Sequence, residues 1–246
     1  MSNFYTNQYP VINLYKKNSA KSEVITQMIF GESFKIINRS SKWMQIQIKE
    51  DGYKGYVKNK KFISYLKPTH KVHVLSANIY KNCNFKKKIG KLSYISKIKV
   101  EKTNSKFSGF QNKWIKTKDI KPIKYINKDI FQDVKIFKSI KYKWGGKTFT
   151  GIDCSALIQI FLNFNNKFCP RDTMKQTIFF KKNIHLKDIK KNDIIYWKGH
   201  VALALSTKKL IHAYGPKKKV LIMGIQKAID LIKKTANLKI TSIKRI

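Results

Sequence analysis

The feature that most limits how this chain can fold is the order of segments in its last third: a buried helix, then three closely spaced strands. Residues 153 to 164, opening Asp153-Cys154-Ser155-Ala156-Leu157, read as a buried helix with Cys154 in its first turn. Asp193-Ile194-Ile195-Tyr196-Trp197, Val201-Ala202-Leu203-Ala204-Leu205 and Lys209-Leu210-Ile211-His212-Ala213 read as consecutive antiparallel strands. Residues 225 to 234 suit a closing helix. Helix first and strands after is an α+β pattern, with a helix packed on an antiparallel sheet.

That order puts one cysteine on the helix and two histidines on the strands. At a helix start the backbone N–H groups are unpaired and the dipole is positive, which favours a thiolate and predicts a lowered pKa for Cys154. The same N–H groups could hold the oxyanion of a tetrahedral intermediate. His200, in Gly199-His200-Val201, can act as general base and then protonate a leaving amine. His212 falls where the next antiparallel strand would set it beside His200, to hold that ring in one tautomer. Together these residues read as a papain-like cysteine hydrolase. A metal site built from the two histidines and a cysteine is the rival chemistry, and it lacks a convincing ligand spacing. No metal or organic cofactor is expected. Cys83 and Cys169 are expected to be inert buried thiols, and His70, His73 and His185 satisfied core residues. Just upstream, Tyr142-Lys143-Trp144-Gly145-Gly146 is either core aromatics with a turn or a pocket wall beside the nucleophile. Asp153 and Ser155 are either helix caps or binders of polar substrate groups.

Residues 1–66 read differently, as short strands with turns. Val24-Ile25-Thr26-Gln27-Met28-Ile29-Phe30 runs into the turn Gly31-Glu32 and then Phe34-Lys35-Ile36-Ile37. Trp43-Met44-Gln45-Ile46-Gln47-Ile48 alternates with period two, and Asp51-Gly52 turns into Tyr53-Lys54-Gly55-Tyr56-Val57. Such spacing predicts a small barrel. Residues 67–125 echo it, with Ile95-Ser96-Lys97-Ile98-Lys99-Val100 and Phe110-Gln111-Asn112-Lys113-Trp114-Ile115 in corresponding places, and are expected to be a degenerate second copy. From 126 the pattern changes. Ile130, Val134 and Phe137 stand near helical spacing and predict a helix over 126–140 at the head of a third domain, 126–246.

Composition narrows the partners. With 53 Lys+Arg against 13 Asp+Glu the formal charge is +40, which by itself suggests an anionic partner. The basic residues are nearly all lysine and lie along the whole chain, alongside abundant Ile and Asn, as expected when a coding sequence drifts toward A and T. A dispersed charge is not a groove-shaped footprint, so no nucleic-acid partner is expected. No stretch approaches the ~18–20 apolar residues of a membrane span. The first 17 residues lack a signal-peptide pattern, and three cysteines without metal spacing suit a reducing cytosol.

The motifs Tyr142-x-Trp144-Gly145-Gly146, Asp153-Cys154-Ser155, Pro170-Arg171-Asp172, Gly199-His200-Val201 and His212 resemble those of NlpC-type cysteine peptidases, papain-like hydrolases of bacterial peptidoglycan peptides. Phe30-Gly31-Glu32 and the Asp51–Val57 segment resemble bacterial SH3-like domains. The whole arrangement is similar to the γ-D-glutamyl-L-diamino acid endopeptidases, or dipeptidyl-peptidase VI. The resemblance implies a triad of Cys154, His200 and His212, with Tyr142, Trp144, Asp153, Ser155 and Asp172 lining a cleft. It implies Glu32 and Tyr53 as holders of the ammonium of a free N-terminal L-Ala, in a cytoplasmic enzyme that recycles murein peptides by cutting after D-Glu. Tyr56 stands where the family has Trp, and Ala156 where it has Gly; neither change removes a reacting group. Two further functions fit the same chain. One is a secreted hydrolase acting on intact murein. The other is a non-catalytic SH3-like protein that binds anionic wall polymer or nucleic acid.

Overall fold

The computed structural model describes residues 4–84 and 86–246; residues 1–3, part of the N-terminal stretch read above as free of a signal-peptide pattern, lie outside the described residues. The chain divides into two compact units. One comprises residues up to 126 with 147–149, the other 127–146 with 150–246.

In the first unit, period-two alternation becomes a one-sided sheet. Along Trp43–Ile48, Met44, Ile46 and Ile48 are buried while Trp43, Gln45 and Gln47 are half-exposed. Seven antiparallel strands follow the order Val24–Ile29, Val11–Tyr15, Lys54–Lys58, Trp43–Ile48, Ser33–Arg39, Phe4–Thr6, Ile63–Ser64. Their core gathers Leu14, Met28, Phe34, Met44, Ile46 and Val57. The Asp51-Gly52 turn closes as an Asx turn, Asp51 Oδ1 accepting the Tyr53 N–H at 3.0 Å. From His70 to Pro122 the unit has a five-stranded and a three-stranded sheet around Val72, Ala77, Ile79, Leu92, Ile98 and Ile115. Phe30 belongs to this second core and meets Phe110 edge-on, with ring centroids 5.8 Å apart.

The second unit carries helices α1 (Cys154–Phe164), α2 (Thr173–Phe179) and α3 (Ile225–Ala236), with a six-stranded antiparallel sheet. The strand order is Lys182–Asn183, Ile240–Arg245, Ile194–Trp197, His200–Ala204, Lys209–Tyr214, Lys219–Gly224. Helix α1 is buried along its length except at Asn163, and packs against the His200–Ala204 and Lys209–Tyr214 strands. Helix α3 buries only Ile225, Ala228 and Ile232, which lie against Trp197, Leu210 and Ile243.

Three expectations are corrected. Residues 126–140 form no α-helix; turns lead into a single 3₁₀ stretch, Val134–Phe137. The backbone bonds there span three residues, as from the Val134 N–H to Phe131 O and the Ile136 N–H to Asp133 O, and Asp129 Oδ1 takes the Phe131 N–H. Period three and a competing carboxylate replace the helical ladder, yet Phe131 and Phe137 still reach Phe161 of α1. His70 and His73 are only half-buried and His185 is exposed; short sheet margins leave them at the surface, where His73 Nε2 meets Lys118 O at 2.7 Å. Cys83 is exposed, whereas Cys169 is buried as expected.

Candidate active site

The site grows from the N-terminus of α1. Asp153 is its N-cap, and Asp153 Oδ1 accepts the Ala156 N–H at 2.8 Å. The Leu157 N–H bonds Asp153 O, the first regular helical bond. The N–H groups of Cys154 and Ser155 precede that ladder and are candidates to receive an oxyanion. The approach to the cap is tight. A Cβ on Gly146 would lie 2.5 Å from Gly151 O, so the Gly145-Gly146 pair is a close-packed turn.

Arg171 fixes the cap from the other side. Its Nη2 donates to Asp153 Oδ2 at 2.5 Å, and its Nη1 to Asp153 Oδ1 at 3.0 Å and Ser155 Oγ at 2.9 Å. The two residues flanking Cys154 are thus held by one buried guanidinium in a bidentate geometry that lysine cannot reproduce. Gln176 of α2 adds a tie, its Nε2 donating to Ser155 O at 3.0 Å and Pro170 O at 2.9 Å. Asp172 caps the start of α2 as a half-buried residue. The Pro170-Arg171-Asp172 motif pointed to Asp172, but the structure gives the larger part to Arg171. A signal was present in the sequence: Arg171 is one of only three arginines, with Arg39 and Arg245, in a chain otherwise given over to lysine.

Both histidines sit on adjacent strands and their rings meet. His200 Nε2 and His212 Nδ1 are 3.0 Å apart and share one hydrogen bond, with both residues buried. The second nitrogen of His200, Nδ1, is the one that can serve the thiol. To accept a proton there, His200 must carry its own proton on Nε2 and donate it to His212 Nδ1, which leaves the His212 proton on Nε2. That Nε2 is buried with no hydrogen-bond partner among the described residues. His212 stacks on Tyr214 at 5.1 Å with an interplanar angle of 9°, and Trp197 packs beside His200 at 5.5 Å. The Tyr214 hydroxyl bonds Thr235 Oγ1 of α3, so the stacking ring is itself anchored.

The sulfur lies at the start of the histidine strand, facing the Val201 N–H and the Thr173 hydroxyl. The expected lowering of its pKa is not found. Burial, then the Asp153 charge, pushes the Cys154 thiol up to about 11, against the pull of those donors and of Arg171. Burial, then His212, pushes His200 down to about 3, and burial takes His212 to about 4. Burial thus disfavours the charged forms of the thiol and of both imidazoles. Tyr142 is half-buried, and burial with the nearby Cys154 and Asp153 charges raises its phenol, keeping it a hydrogen-bond donor. Trp144 is 59% exposed, a surface aromatic rather than a core one.

The remaining two expected site residues, Glu32 and Tyr53, lie in the first unit. Tyr53 is half-buried and packs on that core. Glu32 is buried and its Oε1 accepts from Lys147 Nζ at 2.6 Å; burial raises its carboxyl and Lys147 pulls it back. Among the described residues no group of three or more His, Cys, Asp and Glu side chains could hold a metal ion.

A cysteine at a capped helix start, on a helix packed against strands that carry a buried histidine pair, supplies the groups a papain-like cysteine peptidase uses. Residues 139–234 match the NlpC/P60 family and residues 14–62 the bacterial dipeptidyl-peptidase Sh3 domain. The chain thus carries an NlpC/P60 cysteine peptidase domain, with a bacterial dipeptidyl-peptidase SH3 domain ahead of it. It is similar to the gamma-D-glutamyl-L-lysine dipeptidyl-peptidase of Bacillus subtilis, 26% identical over 83% of this chain and 77% of that protein. It is also similar to dipeptidyl-peptidase 6 of Lysinibacillus sphaericus, 33% identical over 35% of this chain and 31% of that protein. A crystal structure of an NlpC/P60 family protein from Bacillus cereus shares the fold with a TM-score of 0.83, covering 98% of this chain and 99% of that one at 16% identity.

Proposed function

We propose that this chain hydrolyses the γ-D-Glu–diamino acid bond of murein peptides, using Cys154 as nucleophile, His200 as general base and acid, and His212 as the group that fixes the His200 tautomer. The observation that carries the proposal is the buried 3.0 Å contact between His200 Nε2 and His212 Nδ1, on the strand whose start faces the sulfur. The diamino acid is L-lysine, by analogy with the name of the Bacillus subtilis relative.

Burial disfavours separated charges on the thiol and imidazole, so in this reading the proton moves as the bond forms. His200 Nδ1 takes the thiol proton while Sγ attacks the γ-carbonyl carbon of D-Glu. The imidazolium is steadied by its Nε2–H bond to His212. The oxyanion is received by the Cys154 and Ser155 N–H groups, with the Tyr142 phenol beside them. Collapse breaks the C–N bond, and the leaving amine takes the proton from His200. A thioester remains. Water, deprotonated by the same nitrogen, then attacks it and releases the D-Glu γ-carboxylate and the free thiol. Trp144 and Asp172 are assigned to the cleft wall, Asp153 and Ser155 to holding the nucleophile and polar substrate groups.

The first reading places the enzyme in the cytoplasm, recycling released peptides with a free N-terminal L-Ala held by Glu32 and Tyr53. No nucleic acid takes part. Among the described residues no helix is long and apolar enough to cross a membrane. A second reading, action on murein whose L-Ala nitrogen is acylated, is favoured by the Glu32–Lys147 pair. The test is mass spectrometry of L-Ala-γ-D-Glu-L-Lys incubated with wild type and with Cys154→Ala. Release of free lysine by wild type alone is expected. Release by both proteins would remove Cys154 from the chemistry.

A further inference from the structure

The Glu32 carboxylate, which the first reading reserves for a substrate ammonium, already holds one. Lys147 Nζ donates to Glu32 Oε1 at 2.6 Å and the Ile29 N–H donates to Oε2 at 2.8 Å, so both oxygens are engaged. The two side chains are only 2% and 5% exposed. A lysine ends in the same primary ammonium that a peptide N-terminus carries, so Lys147 supplies from within the chain the cation a substrate would bring.

Neither partner is free to swing aside. The turn at Phe30-Gly31-Glu32 is tied by the Gly31 N–H to Asn7 O at 2.8 Å, the Asn7 N–H to Glu32 O at 2.9 Å and the Lys97 N–H to Phe30 O at 2.9 Å. Gly31 has φ of +81°, and a Cβ there would lie 1.9 Å from Lys97 O, so the turn is packed to the backbone. On the other side, the Lys147 N–H donates to Gln27 Oε1 at 3.0 Å, and Gln27 Nε2 donates to Asn13 Oδ1 at 3.0 Å. The ammonium is therefore aimed by its own backbone. Opening the pair would leave two buried charges without partners, the costliest state for such groups. Closed, the pair has no net charge with which to draw in a third ion.

We propose that Lys147 is the resident cation of Glu32 and that the pair stays closed through turnover, so that Glu32 confers no selection for a free peptide amine. The proposal rests on the murein-peptide reading and widens its substrate class to peptides whose L-Ala nitrogen is acylated.

The experiment compares kcat/KM for L-Ala-γ-D-Glu-L-Lys and its N-acetylated copy in wild type, Glu32→Gln and the double variant Glu32→Gln/Lys147→Met. The double variant removes both charges and so leaves no lone ion if the single variant folds poorly. The ratio of free to acetylated peptide is expected to stay within about threefold across the three proteins. A ratio that falls about tenfold or more on losing Glu32 would overturn the proposal. A second readout needs no turnover: acylation of lysines in the folded protein, mapped by mass spectrometry. Lys147 should stay unmodified in wild type while the exposed Lys16 reacts, and should react in Glu32→Gln. Lys147 reacting like Lys16 in wild type would contradict a closed pair. Should wild type cleave neither peptide while Lys147 is protected, the substrate reading fails and the pairing stands.

Discussion

Burial disfavours the charged forms of Cys154, His200 and His212. It outweighs the helix-start dipole at Cys154, whose thiol lies at about 11, and holds His200 and His212 at about 3 and about 4. These shifts fix the sign of a stability profile. The ordinary histidine value is 6.5, so below it the unfolded chain binds protons that the folded chain refuses, and stability falls as pH drops from about 6.5 toward 4. Cys154 works at the other end: from its ordinary 9.0 to about 11 the unfolded thiol ionises first, and stability falls as pH rises. Thermal melts from pH 4 to 11 should show both limbs. Cys154→Ala should make the alkaline limb shallower and His200→Gln the acid one; an unchanged acid limb in His200→Gln would mean that folding does not lower the pKa of that ring. The His200–His212 contact predicts a graded series in turnover. His212→Ala should lower kcat by about 10²–10⁴-fold, and His212→Asn, which keeps an acceptor near the Nδ1 position, should recover part of it. The pairing of the two histidines was legible in the sequence, because His212 falls on the antiparallel strand next after that of His200. The direction of the thiol shift was not, because desolvation depends on what the rest of the chain places over the sulfur.

At the scale of elements, the start of α1 is held from two sides. Asp153 caps it, and Arg171 binds both oxygens of that cap and the Ser155 hydroxyl. Arg171→Lys should therefore cost about 1.5–3 kcal/mol in urea unfolding, the worth of charge-assisted bonds that a point cation cannot replace. It should also lower kcat/KM by about tenfold or more, since the flanks of Cys154 would lose their support. A lysine variant with wild-type stability would show the fork geometry to be unimportant. Arg245 supports the same logic: it too grips one carboxylate twice, Asp193, at 2.8 and 2.7 Å. Two of the chain's three arginines stand where two parallel bonds to one carboxylate are made. The sheet strands were readable from alternation and α1 from its apolar run. The segment 126–140 was not, because apolar residues spaced three or four apart serve consecutive turns as well as a helix, and Asp129 and Asp133 decide between them through side-chain bonds.

For the whole molecule, two observations bear on what the chain meets. The first is charge. If a formal +40 spread over the chain attracts anionic polymer through charge alone, retention on a polyanion should fall steeply with salt and survive Cys154→Ala unchanged. Retention unaffected by salt would instead require a specific anion site. The second is the Glu32–Lys147 pair, which joins residues 115 apart in sequence. No local pattern could have revealed it, since the partner of a buried carboxylate is chosen by tertiary structure. Glu32→Gln, by stranding the buried Lys147 ammonium, should destabilise the first unit by about 3–5 kcal/mol. The double variant with Lys147→Met should recover much of that loss, as two partners removed together leave no lone charge.

The central claim is that Cys154, His200 and His212 cleave a γ-D-Glu–lysine bond, and its most direct test is the hydrolysis of L-Ala-γ-D-Glu-L-Lys followed by mass spectrometry. Wild type should release lysine and L-Ala-γ-D-Glu, with an acyl-thioester of L-Ala-γ-D-Glu on Cys154 trapped when turnover is quenched in acid; Cys154→Ala should show neither. Release of lysine by wild type with Cys154 unmodified, and undiminished in Cys154→Ala, would contradict the account.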